Sequence, residues 1–229
     1  MIHTVAETRS TNDDVAALAR DGAPEGFWLR AARQTEGRGR HGRGWHSPEG
    51  NLHASTLVRL RQSDPAASTL ALVAAVALQE VVSAFAPVHQ VLIKWPNDLL
   101  VEGAKVAGIL LERVEDVVVI GIGVNLARHP DGLDRPVTSL AALTGSAPDP
   151  AAFLDALADS FARWLARWRG EGLAPVRSTW LAAAHPIGTA LSTSAGHGLF
   201  QGLDDTGALR LRLADGTSRV IHAGDVFLI

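Results

Sequence analysis

The chain is predicted to be an α+β protein: a mixed, largely antiparallel sheet flanked by helices, followed by a small C-terminal β domain. Three observations carry that expectation. Four β-type segments follow one another between residues 91 and 126, with turns too short to hold a crossover helix. Long apolar runs at 65–85 and 150–168 have helical spacing. Beyond His185-Pro186 the pattern breaks into short strands separated by glycine and aspartate. The expected division is a large domain over 1–184 and a β domain over 185–229, the latter too small for much core of its own.

In chain order, Ser10-Thr11-Asn12-Asp13 ahead of Val15, Ala16, Leu18 and Ala19 is a capped helix start, and Gly22 a stop. Residues 27–32 read as a strand, 34–44 as a basic glycine-rich stretch, and 52–60 as a strand with Leu52, Ala54, Thr56, Val58 and Leu60 on one face. Ser63-Asp64-Pro65 caps the first long helix, which ends near Phe85 before Pro87. Strands follow at 91–95, 99–101, 105–113 and 117–126, with Glu102-Gly103 as one of the turns. Asp149-Pro150 opens a helix with Phe153, Leu154, Leu157, Phe161, Trp164, Leu165 and Trp168 on its apolar stripe. A further helix spans 174–184, and tail strands fall at 198–202, 208–213, 219–221 and 226–229.

Composition narrows the function classes. A hydrophobic content of 47% in 229 residues supports a real core. A net charge of −3 argues against a general nucleic-acid or membrane-surface binder. The absence of cysteine removes disulfides, thiolate nucleophiles and Cys-ligated zinc. No basic segment followed by an apolar one opens the chain, and the longest apolar run, 70–78, is too short to span a bilayer. A cytoplasmic protein without membrane attachment is expected.

Four constellations carry chemistry. In Gln34-Thr35-Glu36-Gly37-Arg38-Gly39-Arg40-His41-Gly42-Arg43-Gly44-Trp45, glycines allow close backbone approach to an anion and arginines offer bidentate donors. Gly37, Gly39 and Gly42 also fit a dinucleotide fingerprint, but that loop must open a helix and residues 44–50 forbid one. A mobile, solvated basic loop is the plain alternative. Lys94-Trp95-Pro96-Asn97-Asp98 sets a lysine, an amide and a carboxylate at a bend fixed by Pro96, where an ordinary turn is the competing reading. Lys105 begins an apolar strand in which Gly108 marks a close approach; an edge lysine is the alternative. Gly121-Ile122-Gly123-Val124-Asn125 is either a glycine-floored strand end or a bulge.

Taken together and in this order, STN at 10–12, QTEGRGRHGRGW at 34–45, KWPNDL at 94–99, KVAGIL at 105–110 and GIGVN at 121–125 closely resemble the biotin–protein ligase family. The resemblance covers nearly the whole chain, the glycine-punctuated tail included. It implies a class II synthetase-like ligase core with an SH3-like C-terminal barrel. It also implies activation of biotin by Mg²⁺-ATP to biotinyl-5′-adenylate, and transfer to one lysine of a biotin carboxyl carrier domain of an acyl-CoA carboxylase. Ser10, Thr11, Asn12 and Gln34 would then bind the ureido ring, with Gly37, Arg38, Gly39 and Arg40 folding over the ligand. Lys105, near Gly108, would bridge the biotin carboxylate and the α-phosphate. Arg40, Trp45, Lys94, Asn97 and Asn125 would serve the nucleotide. Lys105, Arg38 and Asp98 form the catalytic set, with Asp98 orienting or deprotonating the acceptor lysine.

The chain departs from the family's pattern at His41, where a further arginine is common. Some members also carry an N-terminal DNA-binding module; here the Ser-Thr-Asn motif begins at residue 10, so a ligase without DNA binding is expected. An exposed sheet edge would support a homodimer. His41, His46 and His53 lack tight metal-ligand spacing and read as loop or surface residues, so no protein metal site is expected. The rivals are a lipoate–protein ligase and a non-catalytic protein that sequesters biotin or its adenylate.

Overall fold

The computed structural model describes residues 1–194 and 196–229. Strand β1 (Ile2–Thr8) was not expected, because His3, Thr4, Glu7 and Thr8 dilute any apolar alternation. It is a half-exposed edge strand paired in parallel with β2 (Trp28–Gln34), and between the two lies α1 (Thr11–Arg20). Ser10 stands at the N-cap of α1, but its side chain caps nothing; its hydroxyl accepts from Arg38 instead. After β3 (Leu52–Arg59) comes α2 (Leu70–Phe85), entered through a short 3-10 turn over Ala67–Thr69.

Asp64 does not cap that helix. Its carboxylate is drawn to the Arg169 guanidinium, which also holds Glu25, and two carboxylates around one poorly exposed cation outweigh a single cap. The 19-residue span 67–85 is long and apolar enough by composition to cross a membrane. Its apolar side chains are nevertheless buried against the sheet and the helices below.

The strands β4 (Val91–Lys94), β5 (Asp98–Val101), β6 (Ala104–Val114) and β7 (Val117–Val124) run antiparallel as expected, with left-handed Glu102-Gly103 and Glu115 at two of the turns. The seven strands lie in the order β1-β2-β3-β7-β6-β5-β4. A short helix α3 (Leu140–Thr144), capped by the Ser139 hydroxyl, was too brief to be signalled. In α4 (Pro150–Glu171) the Asp149 carboxylate accepts from the amides of Ala151 and Ala152, the expected cap. Gly172, at φ 77°, breaks the chain into α5 (Leu173–Ala182).

Helices α2, α4 and α5 cover one sheet face, against Leu52, Ala54 and Val58 of β3 and Val118, Ile120 and Ile122 of β7. The opposite face carries α1, whose Val15 and Ala19 pack on Leu57, Val117 and Val119. Each fully buried aliphatic side chain contributes about 1.5–3 kcal/mol.

The tail is a five-stranded antiparallel sheet: β8 (Ala190–Thr193), β9 (Gly196–Leu203), β10 (Leu209–Arg212), β11 (Ser218–Ile221) and β12 (Val226–Leu228), in the order β11-β10-β9-β8-β12. Strand β8 was not expected from the sequence. The inner residues Leu191, Phe200, Leu209 and Leu211 join the main core, and Phe200 meets Trp180 edge to face. Trp95 fastens the tail further by donating its indole N–H to the Gly207 carbonyl.

Candidate active site

Helix α1 covers only part of its sheet face. Side chains alternate along a strand, so Gly121 and Gly123 point the same way as Val117 and Val119, Gly121 beneath Asn12 in the first turn of α1 and Gly123 beneath Trp45. Opposite them on β6 stand Leu110 and Gly108. Both β7 ladders are regular through the glycines, so the GIGVN stretch is not a bulge. The glycines make room. A Cβ on Gly121 would strike the Asn12 carboxamide, one on Gly123 would lie 2.5 Å from the Trp45 indole, and one on Gly108 would crowd Lys105 Nζ and Trp45. The bare strip of sheet is the floor of an open cavity.

One end of the cavity is a hydrogen-bonded chain of nearly buried polar groups. Thr11 donates from its amide and hydroxyl to Gln34 Oε1, at 2.8 and 3.0 Å, and Gln34 Nε2 donates to the Ser47 hydroxyl. Ser55 Oγ lies 2.7 Å from Thr11 Oγ1 and 2.6 Å from Asn12 Oδ1, while Asn12 Nδ2 donates to Glu112. Gln34 ends β2, which sets its amide in register with Thr8 of β1 and across from α1. The expected group Ser10, Thr11, Asn12 and Gln34 is therefore brought together along one wall.

At the centre stands a charged cluster. Asp98 accepts from Lys105 at 2.5 Å and from Lys94 at 3.3 Å, and all three side chains are at most 15% exposed. Lys105 is not an edge lysine. Its strand lies between β5 and β7, its amide bonds the Pro136 carbonyl, and its ammonium sits 5.3 Å from the Trp45 ring centroid. Burial pushes this ammonium below the ordinary lysine range even though Asp98 pulls the other way. Asn97 lines the cavity, but its Nδ2 is spent on the Ile109 carbonyl, a brace between β5 and β6.

The glycine-rich stretch closes the roof without opening a helix. Trp45 N–H donates to the Gly37 carbonyl, Gly39 N–H to that of Arg43, and the tip turns through left-handed His41 and Gly42. Gly37 does not line the cavity; its missing side chain makes space for Ser47 and the Trp45 carbonyl. Arg38 is gripped by Asp13 at 2.6 and 2.7 Å and by Glu112 at 3.0 Å, which holds its guanidinium above the usual arginine range. Arg40 and Arg43 reach the tail, at the Gly224 carbonyl and the Asp225 carboxylate, and Lys94 donates to the Val226 carbonyl.

A second cavity adjoins the first and shares Gly44, Trp45 and Lys105 with it. Asn125 lines this second space with Arg135, its own Nδ2 held by the Thr138 carbonyl. Sequence reasoning missed Ser47, Ser55, Glu112, Arg135 and Asp225. Of these only Glu112 left a readable signal, since it follows Gly108 by two alternations on the same strand face.

His53 needs correction: it lies in β3, 1% exposed, with Nε2 against the Pro48 carbonyl, and burial holds it below the ordinary histidine range. His41 and His46 are exposed loop residues, as expected. Among the described residues no group of three or more His, Asp or Glu side chains is arranged to hold a metal ion.

Residues 6–125 match the Biotin/lipoate A/B protein ligase family, and residues 193–229 match the Biotin protein ligase C terminal domain. A biotin–[acetyl-CoA-carboxylase] ligase of Paracoccus denitrificans is 44% identical over 97% of this chain and 98% of its own length. A ligase of the same description from Mycobacterium tuberculosis is 34% identical over 98% of this chain and 88% of its own. Among solved structures, the biotin protein ligase of Aquifex aeolicus in complex with biotin and ATP superposes with a TM-score of 0.89. It is 24% identical and covers 100% of this chain and 99% of its own, a likeness of fold.

Proposed function

The chain belongs to the biotin protein ligase family, and from that premise we propose that it activates biotin with ATP and transfers it to a lysine of a biotin carboxyl carrier domain of an acyl-CoA carboxylase. The observation that carries the reading is the position of Lys105. It lies between the polar wall of Thr11, Asn12 and Gln34 and the second cavity lined by Trp45, Asn125 and Arg135, and it borders both spaces.

In the first step a biotin carboxylate oxygen attacks the α-phosphorus of ATP, an acyl–phosphate bond forms, and pyrophosphate leaves. Two anions must meet. In this reading Lys105 offsets their repulsion from below, while Arg38 and Arg40 do so from the roof after exchanging their carboxylate partners for substrate oxygens. The polar wall binds the ureido ring and so fixes the carboxylate's distance from Lys105. Trp45, Lys94, Asn97 and Asn125 form the nucleotide side.

In the second step the acceptor amine attacks the acyl carbon and AMP leaves. Asp98, already hydrogen-bonded to Lys105, orients the amine or takes its proton. The cavity carboxylates Asp98 and Asp225 are both engaged by cations of the chain itself. A Mg²⁺ ion would come in with the nucleotide and offset the charge of its phosphates. We divide the roles along the chain in the same way: 1–184 carries the chemistry, and 185–229 steadies the roof and receives the carrier domain.

Pyrophosphate release from Mg-ATP, followed with biotin and with lipoate in parallel, tests the reading. Release with biotin alone is expected. Release with lipoate would make the chain a lipoate ligase, and silence with both in a sample that binds biotin would leave a binding protein.

A further inference from the structure

Behind the polar wall stands a carboxylate that does not line the cavity. Glu112 accepts from Asn12 Nδ2 at 2.6 Å, and the other end of the same carboxamide, Oδ1, is met by the Ser55 hydroxyl. A carboxylate can only accept hydrogen bonds, so it forces the N–H₂ end of Asn12 toward itself and the oxygen toward Ser55. Asn12 is 4% exposed and wedged over Gly121, so its carboxamide has no other way to satisfy both ends. Of the two groups that meet the Asn12 carboxamide, Glu112 fixes that choice, because the Ser55 hydroxyl can donate or accept; Gln34 is oriented separately, by the Thr11 backbone N–H that donates to its Oε1.

We propose that Glu112 is a positioning and specificity-determining residue. By fixing the amide orientation of Asn12, it sets the pattern of donors and acceptors that the wall offers to a cyclic urea. The proposal rests on the functional reading above and deepens it. A urea presents one oxygen that accepts and two N–H groups that donate, so a wall of fixed polarity tells it from a ring with the opposite pattern. With glutamine at position 112 either end of the Asn12 carboxamide can be satisfied, and that distinction relaxes. Glu112 also holds Arg38, but Arg38 keeps its bidentate partner Asp13 when Glu112 is replaced, which separates the two roles.

The test is calorimetric titration of the full chain with biotin and with 2-iminobiotin, in which a donating imino group replaces the accepting ureido oxygen. Wild type is expected to favour biotin strongly. Glu112→Gln should weaken biotin binding roughly ten- to hundredfold and narrow the preference over 2-iminobiotin by roughly tenfold, while the KM for ATP stays at the wild-type value. Glu112→Asp, which keeps an acceptor-only group, should retain the preference, as should Asp13→Asn. An unchanged preference in Glu112→Gln would overturn the proposal. So would equal narrowing in Glu112→Asp or Asp13→Asn, since that would assign the effect to packing or to Arg38. Wild type that binds biotin with the expected preference yet releases no pyrophosphate would refute the catalytic reading and leave this proposal standing.

Discussion

The two halves of the cavity wall are held in different ways. The side we assign to the ureido ring is built from Thr11, Asn12, Gln34, Ser47 and Ser55, which hydrogen-bond one another and sit on α1, on β2 and β3 and on the loop between those strands. The roof is built from three arginines on a loop, and each is held by a carboxylate that belongs to another element. Breaking the first network strands buried polar groups, a cost of about 1–3 kcal/mol for each. Releasing Arg43 from Asp225 costs little, because the arginine side chain is 45% exposed and exposed ion pairs contribute about 0–1 kcal/mol. On the proposed reading one site serves as both template and lid: the half assigned to the ring is rigid, and the half assigned to phosphate is free to exchange partners.

The largest expected effect lies where the halves meet. Lys105→Ala should lower adenylate formation by about 10²–10³-fold with the thermal unfolding curve unchanged in shape; turnover near wild type would remove Lys105 from the mechanism. Next come two substitutions that separate the halves. Gly121→Ala pushes on Asn12 and should raise the KM for biotin by roughly tenfold or more, whereas Gly123→Ala pushes on Trp45 and should raise the KM for ATP by a similar factor. Steady-state kinetics with each substrate varied in turn would show the split, and equal effects on both would erase the distinction between the halves.

The exchangeable half predicts smaller changes. Arg40→Ala removes a roof contact to the tail and should speed escape of the adenylate by roughly tenfold, read as free biotinyl-adenylate in the filtrate of a stopped reaction. Asp225→Asn should change adenylate formation by only about threefold, since it breaks a half-exposed pair; a loss as large as that of Lys105→Ala would make the tail part of the rigid half.

The smallest effect concerns acid stability. The folded protein holds His53 neutral below the ordinary histidine pKa, so the unfolded chain takes up the proton first and stability falls as pH drops below about 6.5. His53→Thr should flatten that fall by roughly a few degrees in Tm between pH 7.5 and 5.5. His185, which burial also depresses, should keep part of it.

The same contrast explains what the sequence made readable. Strands 91–126 and the helix opened by Asp149 were legible because periodicity, turn glycines and caps are local signals. Thr11, Asn12, Gln34 and Lys105 were reachable through short motifs. Strand β1 and β8 were not, since an edge strand and a four-residue strand carry too little alternation. Asp64 misled because a cap residue and a partner for a distant arginine look alike until residue 169 is folded beside it. Asp225 is separated from Arg40 by 185 residues, and only the return of β12 to the cavity rim makes them neighbours. Gly121 and Gly123 read as a possible bulge because sequence does not tell a glycine that bends a strand from one that seats another side chain.

The most direct test of the central claim is a single-turnover reaction with α-labelled ATP and biotin, without acceptor, followed by addition of an isolated biotin carboxyl carrier domain. One equivalent of biotinyl-adenylate is expected to be held by the enzyme, stable over many minutes, and discharged to the carrier lysine as AMP appears. No labelled adenylate, or adenylate hydrolysed as fast as it forms, would contradict a site that activates the acid and keeps it under a closed roof.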